Sequence, residues 1–237
     1  SRLRTKILGT LMYPAIMLLV GGGILVMLMT VVVPQISKVF DSVKATLPPT
    51  TRFLIFTSNL IRDWWFLLFP AIFALGFGAV MWTRSEKGKP IWDRIVLKIP
   101  IFGELIRLTS IARFARTLST LIKSGVPLLN SMDIVRNIIG NSVLAKVIEN
   151  ARDAIREGES FAAPLKRSGE FPPLVYHMIG IGEKSGQLEE MLVNVADSYE
   201  SQVDVRISAL TSVMEPLLIV GMGGSVGFVT FALLMPI

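Results

Sequence analysis

The residues with the strongest claim to chemistry lie in one run, Gly180-Ile181-Gly182-Glu183-Lys184-Ser185-Gly186, which carries the glycines, lysine and hydroxyl of a phosphate-binding loop. Such a loop needs a glycine immediately before its lysine, so that backbone N–H groups can close on the phosphates, and Glu183 stands there instead. The dinucleotide spacing fails as well, because its third glycine would fall on Ser185 and no strand precedes the run. The run therefore reads as a helix that stops at Gly186 and turns tightly into the next, leaving Glu183 and Lys184 exposed as candidate partner contacts. Glu189 and Glu190 follow on the next helix and join them. With Asp197 and Glu200 they make an acidic set suited to a basic patch on another protein.

His177 is the only histidine and cysteine is absent. That composition removes multi-imidazole metal centres, thiolate ligands, disulfides and Ser-His-Asp catalysis within the chain. Glu149 and Asp153 lie one helical turn apart, but two carboxylates do not define a cation site. The residues thus assign no catalytic group, no cofactor and no metal.

Three uncharged apolar stretches, residues 11–33, 64–83 and 216–237, reach or approach the roughly 20 residues that a bilayer-spanning helix needs. An apolar content of 51% with 18% charged residues and a mean hydropathy of +0.59 agrees with a membrane protein. Of the 24 Lys and Arg, 17 fall in residues 84–206, where 15 Asp and Glu nearly balance them. The net charge of +6 therefore comes mostly from membrane flanks, and nucleic acid is not an expected partner. The first stretch contains Pro14 and lacks a short-residue cleavage site, so it reads as a span and not as a leader.

Basic flanks give the orientation. Arg2, Arg4 and Lys6 precede the first span, and Arg84, Lys87, Lys89, Arg94 and Lys98 follow the second, which places both on the cytoplasmic side. Residues 34–63 carry a lower density, Lys38, Lys44, Arg52 and Arg62, and should face the opposite compartment. The resulting plan is a transmembrane helix over 11–33, an outer connection over 34–63, a second span over 64–83, a cytoplasmic all-helical domain over 84–210 and a third span over 213–237. The expected class is all-α, with a cytoplasmic bundle of about six helices.

The chain also repeats at an offset of 202 residues, pairing Arg4 with Arg206, Pro14 with Pro216, Gly21-Gly22 with Gly223-Gly224 and Pro34 with Pro236. On that pattern a cytoplasmic domain should precede the first span too, so residues 1–10 read as its end and the chain as a fragment. Within the bundle, apolar residues at helical spacing mark a helix over 104–124. Gly125 stops it and Pro127 opens the next, over 128–139. Asn141 is placed to cap a third helix, whose charged face, Glu149, Arg152, Asp153, Arg156 and Glu157, reads as solvated. A short helix over 160–167 and one from Phe171-Pro172-Pro173 to Gly186 precede the longest. Its stripe Leu188, Leu192, Val195, Tyr199, Val203, Ile207 and Leu210 runs without a break into the third span. Pro14 and Pro216 should kink their spans. Glu215, beside Pro216 at the membrane edge, is a candidate intramembrane or interface polar contact. Gly223 with Gly227 and Ala74 with Gly78 suit close helix packing or self-association.

Several of these segments together resemble the type II secretion system F protein family, which includes the platform proteins of type IV pili. They are Arg113-Phe114-Ala115-Arg116-Thr117-Leu118, Gly125-Val126-Pro127-Leu128, Phe171-Pro172-Pro173, Gly182 to Leu188 and Met214-Glu215-Pro216-Leu217-Leu218. Leu47-Pro48 and Thr51-Arg52 belong to the same resemblance, which covers essentially the whole chain. It implies a non-enzymatic platform in the bacterial inner membrane that couples a cytoplasmic assembly ATPase to pseudopilin or pilin subunits. It also implies other inner-membrane assembly-platform proteins as partners, a lipid bilayer around the spans, and a homo-oligomer. Residues 34–63 would then be periplasmic. The segment Val31-Val32-Val33-Pro34 and the short outer loop lean towards secretion, with a type IV pilus platform as the alternative. A secondary transporter would want more spans and polar groups near the midplane. A membrane-anchored receptor would want a catalytic or phosphoacceptor module, and the sequence contains none that is recognisable.

Overall fold

The computed structural model describes residues 2–35 and 49–234, and all regular structure there is helical. The elements are α1 (Arg2–Met27) with a π-helical turn (Leu28–Val32), α2 (Pro49–Arg84), α3 (Gly88–Lys98), α4 (Phe102–Lys123), α5 (Leu128–Ile138), α6 (Ser142–Arg156), α7 (Ala162–Ser168), α8 (Pro173–Ser185) and α9 (Leu188–Leu234). They form two compact units, Ser1–Val80 with Ser208–Ile237, and Met81–Ile207.

In the unit Met81–Ile207, glycines end helices where the sequence places them. After α4 the chain turns left-handed at Gly125 (φ 80°). Gly125 N–H donates to the Ile122 carbonyl at 2.9 Å and Val126 N–H to that of Leu121 at 3.0 Å. This paired closure satisfies carbonyls that the helix end would otherwise orphan. The same device ends α6, with Gly158 (φ 88°) donating to Ile155 at 3.0 Å and Glu159 to Ala154 at 2.9 Å. Pro127 and Pro172 sit extended immediately before α5 and α8, and Asn141 Oδ1 accepts the Val143 and Leu144 N–H groups to start α6. The stripes converge on one core in which Ile111, Phe114, Leu118, Met132, Ile148 and Leu192 are fully buried. Each such side chain contributes about 1.5–3 kcal/mol by leaving water. Phe114 anchors it edge-on to Phe171 at 5.4 Å and to Phe161 at 6.3 Å. The charged face expected on α6 is not simply solvated. Glu149 pairs with Arg136 of α5 at 3.1 Å and Arg152 with Asp133 at 2.9 Å, tying α5 to α6.

In the other unit, Pro14 and Pro216 lie inside α1 and α9, and neither terminates its helix. Two helical segments, Met12–Gln35 and Leu188–Ala232, are long and apolar enough to cross a membrane. The second expected span lies on α2, whose Phe66, Phe73, Leu75 and Phe77 are exposed. At Gly21, α1 approaches α9 so closely that a Cβ there would strike the Met222 side chain. Among the described residues nothing comes within 4 Å of the Cβ positions of Gly78, Gly223 or Gly227, so the small-residue pairs are not where the helices of this unit close up.

One end of this unit has a chemical logic of its own. The π turn gives a five-residue hydrogen bond from Val33 N–H to the Leu28 carbonyl. In that register residue 34 would bond Met29, but Pro34 has no N–H. The stranded Met29 carbonyl takes the Ser58 hydroxyl of α2 instead. The Ala232 carbonyl lies in the last turn of α9. It accepts from Thr51 Oγ1 of α2 at 2.7 Å. Around these bonds Val33, Leu54, Val229 and Ala232 form a buried apolar cluster.

Candidate functional site

The corner between α8 and α9 brings together the four residues singled out as partner contacts. Gly186 has φ 73°, a conformation costly for any residue with a Cβ, and it lets the chain reverse within two residues. Gly182 is buried one turn earlier, where a Cβ would lie 2.8 Å from Leu188 Cα. The two helices therefore cross at backbone distance, which fixes the corner.

The four charges differ in what the fold asks of them. Glu183 is exposed on the turn, as read from the sequence, and is also engaged by its own bundle. Its carboxylate accepts the Phe161 N–H at 3.0 and 3.1 Å and the Ser160 hydroxyl at 2.6 Å. It thereby holds the start of α7 against the end of α8. Glu189 lies 3.9 Å from Lys123, and Glu190 stands with it in the first turn of α9, where carboxylates complement the helix dipole. Lys184 and Glu190 are exposed and, among the described residues, make no ion pair. Lys184 lines a shallow cleft of about 350 Å³ with Ser160, Lys166, Tyr176, His177 and Ile181. His177 stacks obliquely on Tyr176 at 4.8 Å.

Asp197 and Glu200 are turned to Arg116 of α4. Arg116 Nε and Nη2 donate to the two oxygens of Glu200 at 2.9 and 3.0 Å, a bidentate pair, and Nη2 also donates to Asp197. Glu200 first, and Asp197 after it, hold this guanidinium above its ordinary pKa, against the opposing effect of burial. Elsewhere on the bundle, Lys89, Arg136, Asn141, Ser142, Lys146 and Glu149 line a second cleft of about 330 Å³. Lys146 first, with Arg136, keeps the Glu149 carboxyl below its ordinary pKa. Both Glu149 oxygens are thus occupied by cationic side chains.

The remaining singled-out residues are structural in setting. Gly125 and Pro127 form the α4–α5 turn, Pro14 is buried, and Glu215 and Pro216 are exposed on α9. Sequence reasoning missed the partners of Glu183, the Arg116 clasp and the role of Asp93, whose carboxylate accepts the Ser142 N–H at 2.7 Å at the start of α6. Asp93 left a signal, a lone acid among four bases, but nothing local says which helix end it meets.

Comparison with known proteins returns one family. A family model described as type II secretion system (T2SS), protein F, matches residues 114–236. The chain is 40% identical over its whole length to a type II secretion system protein F of Aeromonas hydrophila, of which it covers 61%. It is 35% identical over its whole length to the type IV pilus assembly protein PilC of Myxococcus xanthus, covering 57% of it. It is also 37% identical, over 99% of the chain, to the PilC of Thermus thermophilus, covering 58%. The chain thus spans about three fifths of the length of these curated relatives.

Proposed function

The chain belongs to the type II secretion system protein F family, and on that premise we propose that it is part of a non-enzymatic platform in the bacterial inner membrane. The platform couples a cytoplasmic assembly ATPase to the stacking of pseudopilin subunits, and so to protein export. In this reading residues 11–33, 64–83 and 213–237 are three spans, residues 34–63 are periplasmic, and residues 84–210 form a cytoplasmic bundle of about six helices. Its neighbours are other inner-membrane assembly-platform proteins and further copies of itself, with no part for nucleic acid. Lys184, Glu189 and Glu190 are the proposed contacts for the ATPase, with Glu183 setting the corner that presents them. Glu215 is the proposed polar contact at the membrane edge.

The observation that supports this reading best is α9. One uninterrupted helix supplies Leu192, Tyr199 and Val203 to the bundle core and continues as an apolar segment to Ala232. In this reading that helix carries a motor's displacement of the bundle to the membrane. The relatives favour secretion and pili almost equally, so the type IV pilus platform stands as the second reading. Deleting the gene and restoring it on a plasmid tests both. Secretion predicts exported proteins lost from the medium and pseudopilins retained in the inner membrane, whereas the pilus reading predicts loss of surface pili. A deletion strain with normal export and normal pili contradicts the platform role.

A further inference from the structure

Helix α3 is the one element of the bundle unit whose apolar face points away from its neighbours. Its rotation is fixed by two bonds from the start of α6. The Asp93 carboxylate takes the Ser142 N–H of α6, and Asn141 Nδ2 reaches the Asp93 carbonyl at 3.4 Å. Val96 and Leu97, half-buried, share that inward side with Asp93. Both ends are fixed as well, since a Cβ on Gly88 would meet the Trp82 carbonyl at 2.0 Å and one on Gly103 that of Leu97 at 2.4 Å. So held, α3 leaves Ile91 52%, Trp92 44% and Ile95 47% exposed. The corner to α4 continues the patch with Ile101 at 57% and Phe102 at 59%. Ile101 is held at φ 73°, a strained conformation for a β-branched residue.

The charges around this patch say what covers it. On a helical projection Ile91, Ile95 and Trp92 span about 100°. Arg94 and Lys98 border that stripe beside Ile91, and Lys89 lies beyond Trp92 towards the inward side, all three exposed. None of the three makes an ion pair among the described residues, although cations elsewhere in the bundle, such as Arg107, Arg116 and Arg136, do. An apolar stripe bordered by long basic side chains, with a tryptophan at its edge, is the pattern of a helix lying in a lipid interface. Three residues, Ser85 to Lys87, connect α3 to α2.

We propose that α3 and the Ile99–Phe102 corner form an in-plane membrane anchor that binds the anionic phospholipid surface of the cytoplasmic leaflet. The inference rests on α2 being a span with the bundle on the cytoplasmic side. The chain contains no cysteine, so single nitroxides are readily placed at Ile95 and Phe102, at Phe73 in the proposed span and at Arg156 on the bundle surface. With the full chain in vesicles of phosphatidylethanolamine and phosphatidylglycerol, Ile95 and Phe102 should favour oxygen over a water-soluble nickel chelate, as Phe73 does and Arg156 does not. Lys89→Glu with Arg94→Glu and Lys98→Glu, or exchange of phosphatidylglycerol for phosphatidylcholine, should return Ile95 towards the Arg156 value. Each cation near an anionic surface weights the bound state by about fivefold. Nickel access at Ile95 equal to that at Arg156, with Phe73 in lipid, overturns the anchor and leaves the span. Nickel access at Phe73 overturns the span and the anchor together. Spin–spin broadening at Ile95 that vanishes on dilution with unlabelled chain shows a second copy on the patch and also overturns the anchor.

Discussion

Thr51 and Ser58 show how much one hydroxyl can decide in an apolar setting. Each donates to a carbonyl near a helix end, Ser58 to that of Met29, which Pro34 leaves without its helical donor, and Thr51 to that of Ala232 in the last turn of α9. Thr51 is buried to 1% exposure. Replacing it with valine keeps the shape and strands the carbonyl, at a cost of about 1–3 kcal/mol in a buried site. Interhelical bonds in membranes average at the lower end. Thr51→Val should therefore lower the thermal midpoint in detergent by a few degrees, and Ser58→Ala should behave alike, while Thr57→Val, whose hydroxyl bonds only to Phe53 of its own helix, should not. Equal midpoints for all three variants would contradict this account. The paired prolines were legible in the sequence as a repeat. The hydroxyl bonds were not, because donor and acceptor are 29 residues apart in one case and 181 in the other.

At the scale of elements, the sequence was most legible where a single residue type dictates backbone conformation. Gly125, Gly186, Pro127, Pro173 and Asn141 end or open helices where they were expected to, since left-handed φ, a missing N–H and a capping amide are local properties. Helix α3 was not separately legible. Its inward side carries only Val96, Leu97 and Asp93, so its outward isoleucines break the rule that the apolar stripe faces the core, and Lys89, Arg94 and Lys98 read as a membrane flank alone. The bonds of Glu183, which is exposed as expected, were not legible for a similar reason, because the N–H it accepts lies 22 residues earlier. The α8–α9 corner gives a sharp test. Gly182→Ala pushes a methyl to 2.8 Å from Leu188 Cα, and overpacking of this kind costs about 1–3 kcal/mol. Gly180→Ala, in the same helix, meets only Ala162 Cβ at 3.4 Å and gains helix propensity. Thermal unfolding should rank Gly182→Ala clearly below the native chain and Gly180→Ala at or near it, and the reverse order would refute the close crossing.

For the whole molecule, most of the family motifs serve the fold, and Lys184 lies both in a motif and among the proposed contacts. Phe114, Phe171 and the glycines of the resemblance build the bundle core and its turns, and Arg116 clasps α4 to α9. These residues explain why the fold is recognisable. What remains outward at the α8–α9 corner is Lys184, Glu190 and the weakly paired Glu189. No sequence pattern separates such charges from the solvated majority, since docking depends on a surface that belongs to another protein. The most direct test of the platform account is photo-crosslinking in native membranes, with the probe at Lys184 or Glu190 of the full-length protein and at Arg156 as a control on the same bundle. The account predicts capture of the cytoplasmic assembly ATPase from the corner and not from Arg156. Equal capture from all three positions, or none from the corner while the machine is exporting, would contradict it.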